Sequence, residues 1–360
     1  VLTPGRGLGP PADTADDPPA LHPVDMRDTT ARTSLPTDVI VVGASAGGVE
    51  ALRDFVTGLP ADLTAAVLVV LHLPPGGFSA LPAILRRAGK LPVTAAAHGM
   101  PLEPGTIYTA IPDHHLLISQ RHALLSRGPT ENGHRPGVDA LFRSAAVTWA
   151  PRMAGVVLSG SLDDGSAGLA LIKSRGGLAA VQDPDEALHS DMPANALRTV
   201  TADLVLPAGE IGPALADRLG SRSVRPQPAP TEIDRLEASI DAGKDLGPEG
   251  VTSMANPSGF TCPDCNGALY TLPGQTRYRC RVGHAWTAEA LLIEQSLEVE
   301  RALWIALRAL EEKQQLTGRM RTDAQRYGDE RLAHRYAEQC LEQTDAVETL
   351  RKLLVERRLA

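Results

Sequence analysis

A serine lies among glycines and alanines in Gly43-Ala44-Ser45-Ala46-Gly47-Gly48, directly after the β-branched run Asp38-Val39-Ile40-Val41-Val42. Two chemistries compete for such a turn. A glycine-rich strand-to-helix turn can cradle a phosphate at a helix N-terminus. It can also be a nucleophile elbow, in which the glycines permit a tight turn that lifts a serine hydroxyl clear of the sheet. A dinucleotide site calls for an acidic residue at the tip of the second strand. Here the apolar run Ala66 to Leu71 ends in His72, and the turn misses the G-x-G-x-x-G spacing. A histidine in that place is what a serine nucleophile requires as general base. His114, His115 and His189 are rivals, but they fall in loops. A carboxylate to orient the imidazole is available in Gly160-Ser161-Leu162-Asp163-Asp164-Gly165, after the strand Gly155 to Ser159. Taken singly, each motif also reads as an ordinary turn or helix cap. The chain order Ser, His, acid differs from the Ser, acid, His order of lipase-type hydrolases.

A second constellation is Cys262-x2-Cys265-x14-Cys280-x3-His284. Three thiolates and an imidazole at this spacing suit a structural zinc ion. Arg277, Arg279 and Arg281 flank Cys280 and read as a local, solvated basic face.

These residues need elements to hold them. Helical spacing runs from Val49 to Leu59, Leu81 to Arg87, Val138 to Ala150, Ser166 to Ser174 and Ile211 to Leu219. Strands are expected at Pro92 to Ala97, Gly105 to Ile111, Leu178 to Gln182 and Asp203 to Leu206, with a strand or hairpin at Leu116 to Ser126. Continuous apolar strands alternating with helices predict an α/β fold. Its sheet is doubly wound and mostly parallel, helices cover both faces, and the site lies beyond the carboxyl ends of the strands. Residues 1–36, rich in Pro, Gly, Asp and Thr, are expected to be disordered, and 37–220 to form the catalytic domain. A linker is expected over 221–258, with a helical turn or two at Glu232 to Ile240. A zinc-ribbon unit (259–286) and a helical hairpin (287–360) follow. In the hairpin, Leu292, Val299, Leu303, Ala306 and Leu310 face Leu332, Tyr336, Val347, Leu350 and Leu354 across a turn at Gly328.

A net charge of −8 and an aromatic content of 3% disfavour a nucleic-acid partner. No apolar run suffices to span or insert in a bilayer, and no signal peptide is evident. Four cysteines suit a reducing, cytoplasmic compartment. Oligomeric state is not legible.

Several motifs in order resemble the CheB family of protein-glutamate methylesterases. They are Val41 to Gly48, His72-Leu73-Pro74, Arg135-Pro136-Gly137-Val138-Asp139-Ala140-Leu141-Phe142-Arg143-Ser144, Leu158 to Gly165, Gln182-Asp183 and Met192-Pro193. The resemblance covers about Asp38 to Leu219 and implies a triad of Ser45, His72 and Asp164, with Asp164 preferred to Asp163 because it directly precedes Gly165. It implies hydrolysis of glutamyl γ-methyl esters on a methyl-accepting chemoreceptor or similar signalling protein, with glutamine deamidation in some members and no cofactor for catalysis. The N–H groups of Ala46 and Gly47 are candidates for the oxyanion site. Ser161-Leu162 stands where the family has Met-Gly, Asp191 where it has Gly, and Leu73 where it has Met. The residues before Asp38 are too few for the phospho-receiver domain that many members carry, so restraint by phosphorylation in cis is not expected. The alternative is a catalytically silent or other-substrate adaptor, docking a signalling partner through the zinc unit and helices.

Overall fold

The computed structural model describes residues 36–221, 229–245, 250–273 and 277–357. The expected disordered N-terminal segment lies, up to residue 35, outside the described residues.

Strand β1 (Val39–Ala44) is the hub of the first sheet. It pairs in parallel with β2 (Ala66–Leu71) on one side and β8 (Met153–Val157) on the other. The remaining strands are β3 (Val93–Ala95), β5 (Ile107–Thr109), β9 (Leu178–Gln182) and β10 (Leu204–Leu206). The order is β10-β9-β8-β1-β2-β5-β3, and every pairing is parallel. Side-chain alternation along β1 feeds two cores. Ile40 and Val42 join Leu52, Phe55, Leu85, Ile211 and Leu215 on one face. Those residues come from α1 (Gly48–Gly58), α2 (Leu81–Ala88) and α6 (Ala208–Ser221). Val39 and Val41 join Leu141, Phe142, Leu169, Ile172, Met192 and Ala196 on the other. Here the helices are α3 (Val138–Trp149), α4 (Ser166–Ser174) and α5 (Asp191–Thr199). Full burial of each large aliphatic chain contributes roughly 1.5–3 kcal/mol, which commits β1 to the centre. Helix α5 is an addition to the sequence reading. The expected hairpin forms as β6 (His115–Ser119) and β7 (His122–Ser126), with β4 (Met100–Pro101) on its edge.

The expected linker is more structured than its composition suggests. Residues 222–228 and 246–249 lie outside the described residues, but between them α7 (Glu232–Asp241) is capped by a Thr231–Asp234 capping box. Its Glu237 and Asp241 are buried.

The cysteine-rich unit is an antiparallel sheet of β11 (Asn256–Thr261), β12 (Ala268–Thr271), β13 (Arg277–Cys280) and β14 (Ala285–Thr287). Strand β14 is tied to the α/β part: Ala285 N–H donates to Thr130 O at 3.0 Å, and Asn132 N–H to Ala285 O at 2.8 Å. The solvated basic face is corrected here. Arg277 and Arg279 are 5% and 0% exposed, because carboxylates of the α/β part and of α7 surround them, and Arg281 is the exposed one of the three. Two antiparallel helices, α8 (Ala288–Arg326) and α9 (Glu330–Arg357), follow. Leu303, Leu307, Leu310, Val347, Leu350 and Leu354 make their seam. Leu292 and Val299 face solvent instead, because α8 is 39 residues long against 28 for α9 and its start outruns the partner.

Candidate active site and metal cluster

Chain order around the sheet reverses at β1, where β2 leaves on one side and β8 lies on the other. Crevices at such reversals, beyond the strands' carboxyl ends, are where ligands bind in doubly wound sheets. Ser45 follows β1, His72 follows β2, and Asp164 lies in the loop between β8 and α4. The three side chains converge. His72 Nδ1 is 3.1 Å from Ser45 Oγ, and His72 Nε2 is 2.8 Å from Asp164 Oδ2. The geometry fits an imidazole that donates Nε2–H to the carboxylate and accepts the serine proton at Nδ1.

Each member is held by its local chain. Gly47 at φ +66° lets the backbone turn into α1, and an added Cβ would meet Ser159 Oγ and Leu188. Ser45 N–H donates to Ser159 O, tying the nucleophile turn to the end of β8. Among the described residues, neither the Ala46 nor the Gly47 N–H finds an acceptor, which leaves both available to an oxyanion. Gly160 allows close approach of a different kind, since a Cβ there would lie 2.0 Å from Met192 Sδ and 2.9 Å from Ser45 Cβ.

Asp164 sits at the N-terminus of α3. Val138 N–H donates to its Oδ2 at 2.7 Å and Asp139 N–H to its Oδ1 at 3.0 Å. Burial alone would push this carboxyl up. Hydrogen bonding from His72 and the helix N–H groups outweighs it and holds the carboxyl below the usual range. Asp163 does not reach His72. It accepts from Thr287 Oγ1 at 2.8 Å, and burial pushes it up to about 6. The rival histidines are elsewhere: His115 is buried between Pro129 O and Gly137 N–H, and His114 bonds Pro112 O. The backbone carbonyl of His189 accepts from Gly160 N–H.

Three features escaped sequence reading. The ring of His134 stacks on His72, with centroids 4.1 Å apart and planes at 15°. Burial and the neighbouring His72 push His134 down to about 4, so it is neutral near pH 7. The second feature is a buried charge cluster. Arg143 donates to Glu131 and Asp241 at 2.6 Å each. Arg279 donates to Glu237 at 2.9 Å, Glu131 at 2.7 Å and Asp241 at 3.1 Å, and Arg277 also bonds Glu131. Three guanidiniums thus meet three carboxylates, and Asp139 is a fourth. Burial pushes Asp139 up to about 7, against the pull of Arg277. A signal did exist in Asp139 and Arg143, charged residues one turn apart within an otherwise uncharged helix. The third is Leu162, a non-glycine residue at φ +64°. That conformation costs roughly 1–2 kcal/mol for a residue with a Cβ. Its side chain packs on the ribbon core of Cys262, Leu269, Cys280, Trp286, Ala290 and Leu291.

The ligand atoms of Cys262, Cys265, Cys280 and His284 lie within 4.8 Å of one another. Cys265 Sγ to Cys280 Sγ is 3.7 Å, and His284 Nδ1 is 3.5 Å from Cys280 Sγ and 3.7 Å from Cys262 Sγ. Sulfurs at the corners of a tetrahedron around zinc, with bonds of about 2.3 Å, stand about 3.8 Å apart. The donor set could therefore hold a metal ion, and its spacing fits zinc.

A nucleophile turn, an imidazole and a carboxylate at the switch point of a parallel α/β sheet form the kind of centre that serine hydrolases use. Residues 40–215 match the CheB methylesterase family and constitute a CheB methylesterase domain. A protein-glutamate methylesterase/protein-glutamine glutaminase 2 of Caulobacter vibrioides is 35% identical over 60% of this chain and 64% of its own length. The enzyme of the same name from Methanosarcina mazei is 36% identical over 56% of this chain and 57% of its own. The chain thus spans less than two thirds of the length of these relatives. The crystal structure of the Thermotoga maritima CheB methylesterase catalytic domain is similar at 30% identity, over 50% of this chain and 97% of that one, with a TM-score of 0.48.

Proposed function

We propose that this protein hydrolyses glutamyl γ-methyl esters on a chemoreceptor or similar signalling protein, and deamidates glutamines by the same route. The observation that carries the reading is the continuous hydrogen-bonded path from Ser45 through His72 to Asp164 within the CheB methylesterase domain. The names of the relatives supply the substrate class.

His72 Nδ1 takes the Ser45 proton as Oγ attacks the ester carbonyl, and Asp164 stabilises the imidazolium that forms. The N–H groups of Ala46 and Gly47 receive the oxyanion. On collapse the carbonyl–methoxy bond breaks, and His72 returns the proton to the departing methoxide as methanol. Water, deprotonated by His72, then attacks the acyl carbonyl; the carbonyl–Oγ bond breaks, His72 returns the proton to Ser45 Oγ, and a free glutamate is left. With glutamine the leaving group is ammonia. Neutral His134 presents its ring face to the imidazolium, an arrangement that suits a transient cation.

Cys262, Cys265, Cys280 and His284 would hold a structural zinc ion, whose chemistry there is to cross-link the ribbon. Catalysis draws on no cofactor. None of the four cysteines is in a disulfide, which supports a cytoplasmic setting. Among the described residues no helix is long and apolar enough to cross a membrane.

The test is methanol release from a methylated receptor. We expect release by the parent protein and a loss on the order of 10⁴-fold or more in Ser45→Ala. A Ser45→Ala protein that retains the activity, or a parent that hydrolyses only model esters, would reject the reading.

A further inference from the structure

The ribbon lies beyond the segment matched by the CheB family, yet it touches the triad's acid loop at two consecutive residues. Leu162 packs into the ribbon core, and Asp163 accepts the Thr287 hydroxyl at 2.8 Å. Thr287 is itself anchored: it caps α8, and its N–H donates to Asn132 Oδ1 at 2.8 Å. A second path reaches His72 and Asp164. Arg277 and Arg279 bond Glu131, which closes a two-bond turn with His134, the ring stacked on His72. Arg277 also lies 3.7 Å from Asp139, the residue whose N–H holds Asp164. Cys280, a candidate metal ligand, ends the strand that carries both arginines.

Leu162 is a point at which this chain departs from the CheB pattern. The CheB pattern has glycine there, the residue that left-handed backbone favours. This chain places a leucine in that conformation and packs it on the ribbon. Arg143 is the α3 residue that pairs with the same carboxylates as the ribbon arginines.

We propose that the metal-held ribbon positions the triad: Leu162, Arg277 and Thr287 are positioning residues that set the Asp164 loop and the α3 N-terminus against His72. Folding of the ribbon around its metal then determines how well Ser45 is activated. The inference rests on the hydrolase reading for its consequence, although the positioning itself can be read without turnover.

The full chain is compared with its metal bound, after chelation, and after zinc is restored. Two readouts are used: the low-field N–H proton resonance of His72 in its bond to Asp164, and the rate at which Ser45 reacts with a fluorophosphonate. Chelation is expected to broaden or remove the resonance and slow labelling at least about tenfold, with zinc restoring both. Because chelation can unfold the ribbon wholesale, Leu162→Gly is measured with the metal bound. Glycine relieves the backbone strain, so a several-fold slower reaction there reports lost packing. An unchanged resonance and rate in both the chelated protein and Leu162→Gly would overturn the proposal. A metal-loaded protein whose resonance is present but whose Ser45 does not react would reject the hydrolase reading instead, and the response of the resonance to chelation would still decide the positioning.

Discussion

The imidazole of His72 is met from three directions, by a hydroxyl, a carboxylate and a second imidazole. A neutral partner ring and a charged carboxylate leave His72 as the group that changes charge during the proposed reaction. Asp139 is the opposite case, a buried carboxyl with its Oδ2 lacking a hydrogen-bond partner among the described residues. Its pKa in the fold is about 7 against 3.8 for the free side chain, so the folded state binds a proton that the unfolded state releases. Stability therefore falls as pH rises between these values. Asp139→Asn keeps an acceptor for the Gly168 N–H and removes the titration. Relative to the parent, the variant should gain stability from pH 5 to pH 8, on the order of a few kcal/mol at the upper end. Denaturant melts at both pH values check this, and a gap that does not widen with pH would contradict it.

At the scale of elements, α3 carries two jobs on two faces. Its N-terminal N–H groups hold Asp164, and one turn later Arg143 enters the buried cluster. The cluster joins three segments distant in sequence: the 131–143 region, α7 and β13. Removing one partner of a buried ion pair leaves the others uncompensated and costs about 3–5 kcal/mol. Arg143→Ala is expected to destabilise the fold by that amount in chemical denaturation. A loss below about 1 kcal/mol would show the pair to be solvated. A cluster of this kind also accounts for why α7 is helical and docked within a stretch of linker-like composition: Glu237 and Asp241, four residues apart, share one helix face toward the arginines.

At the scale of the molecule, the ribbon is too small to build a core of adequate size, and a metal cross-link would compensate for that. Purified chain should contain about one zinc per molecule. Chelation should lower the melting temperature of the ribbon and of the α/β domain together, since Arg277 and Arg279 supply counter-charges to Glu131. Elemental analysis and calorimetry check both, and a metal-free chain that melts at an unchanged temperature would refute the assignment.

The sequence by itself determined the strands, because continuous apolar runs such as 66–71 have no other stable place than a sheet buried on both faces. It placed Ser45, His72 and the Asp163–Asp164 pair beyond strand ends, the family resemblance preferring Asp164, and the cysteine spacing marked a candidate ligand set, since these signals are local. Tertiary structure alone decided what Arg277 and Arg279 do. A run of arginines reads as solvated until carboxylates 38 to 148 residues away are brought around it. It also decided why Leu162 occupies a glycine's conformation, and that His134 lies on His72. Local periodicity reports burial and backbone preference. Which charges and rings face each other depends on contacts that close only when distant segments pack.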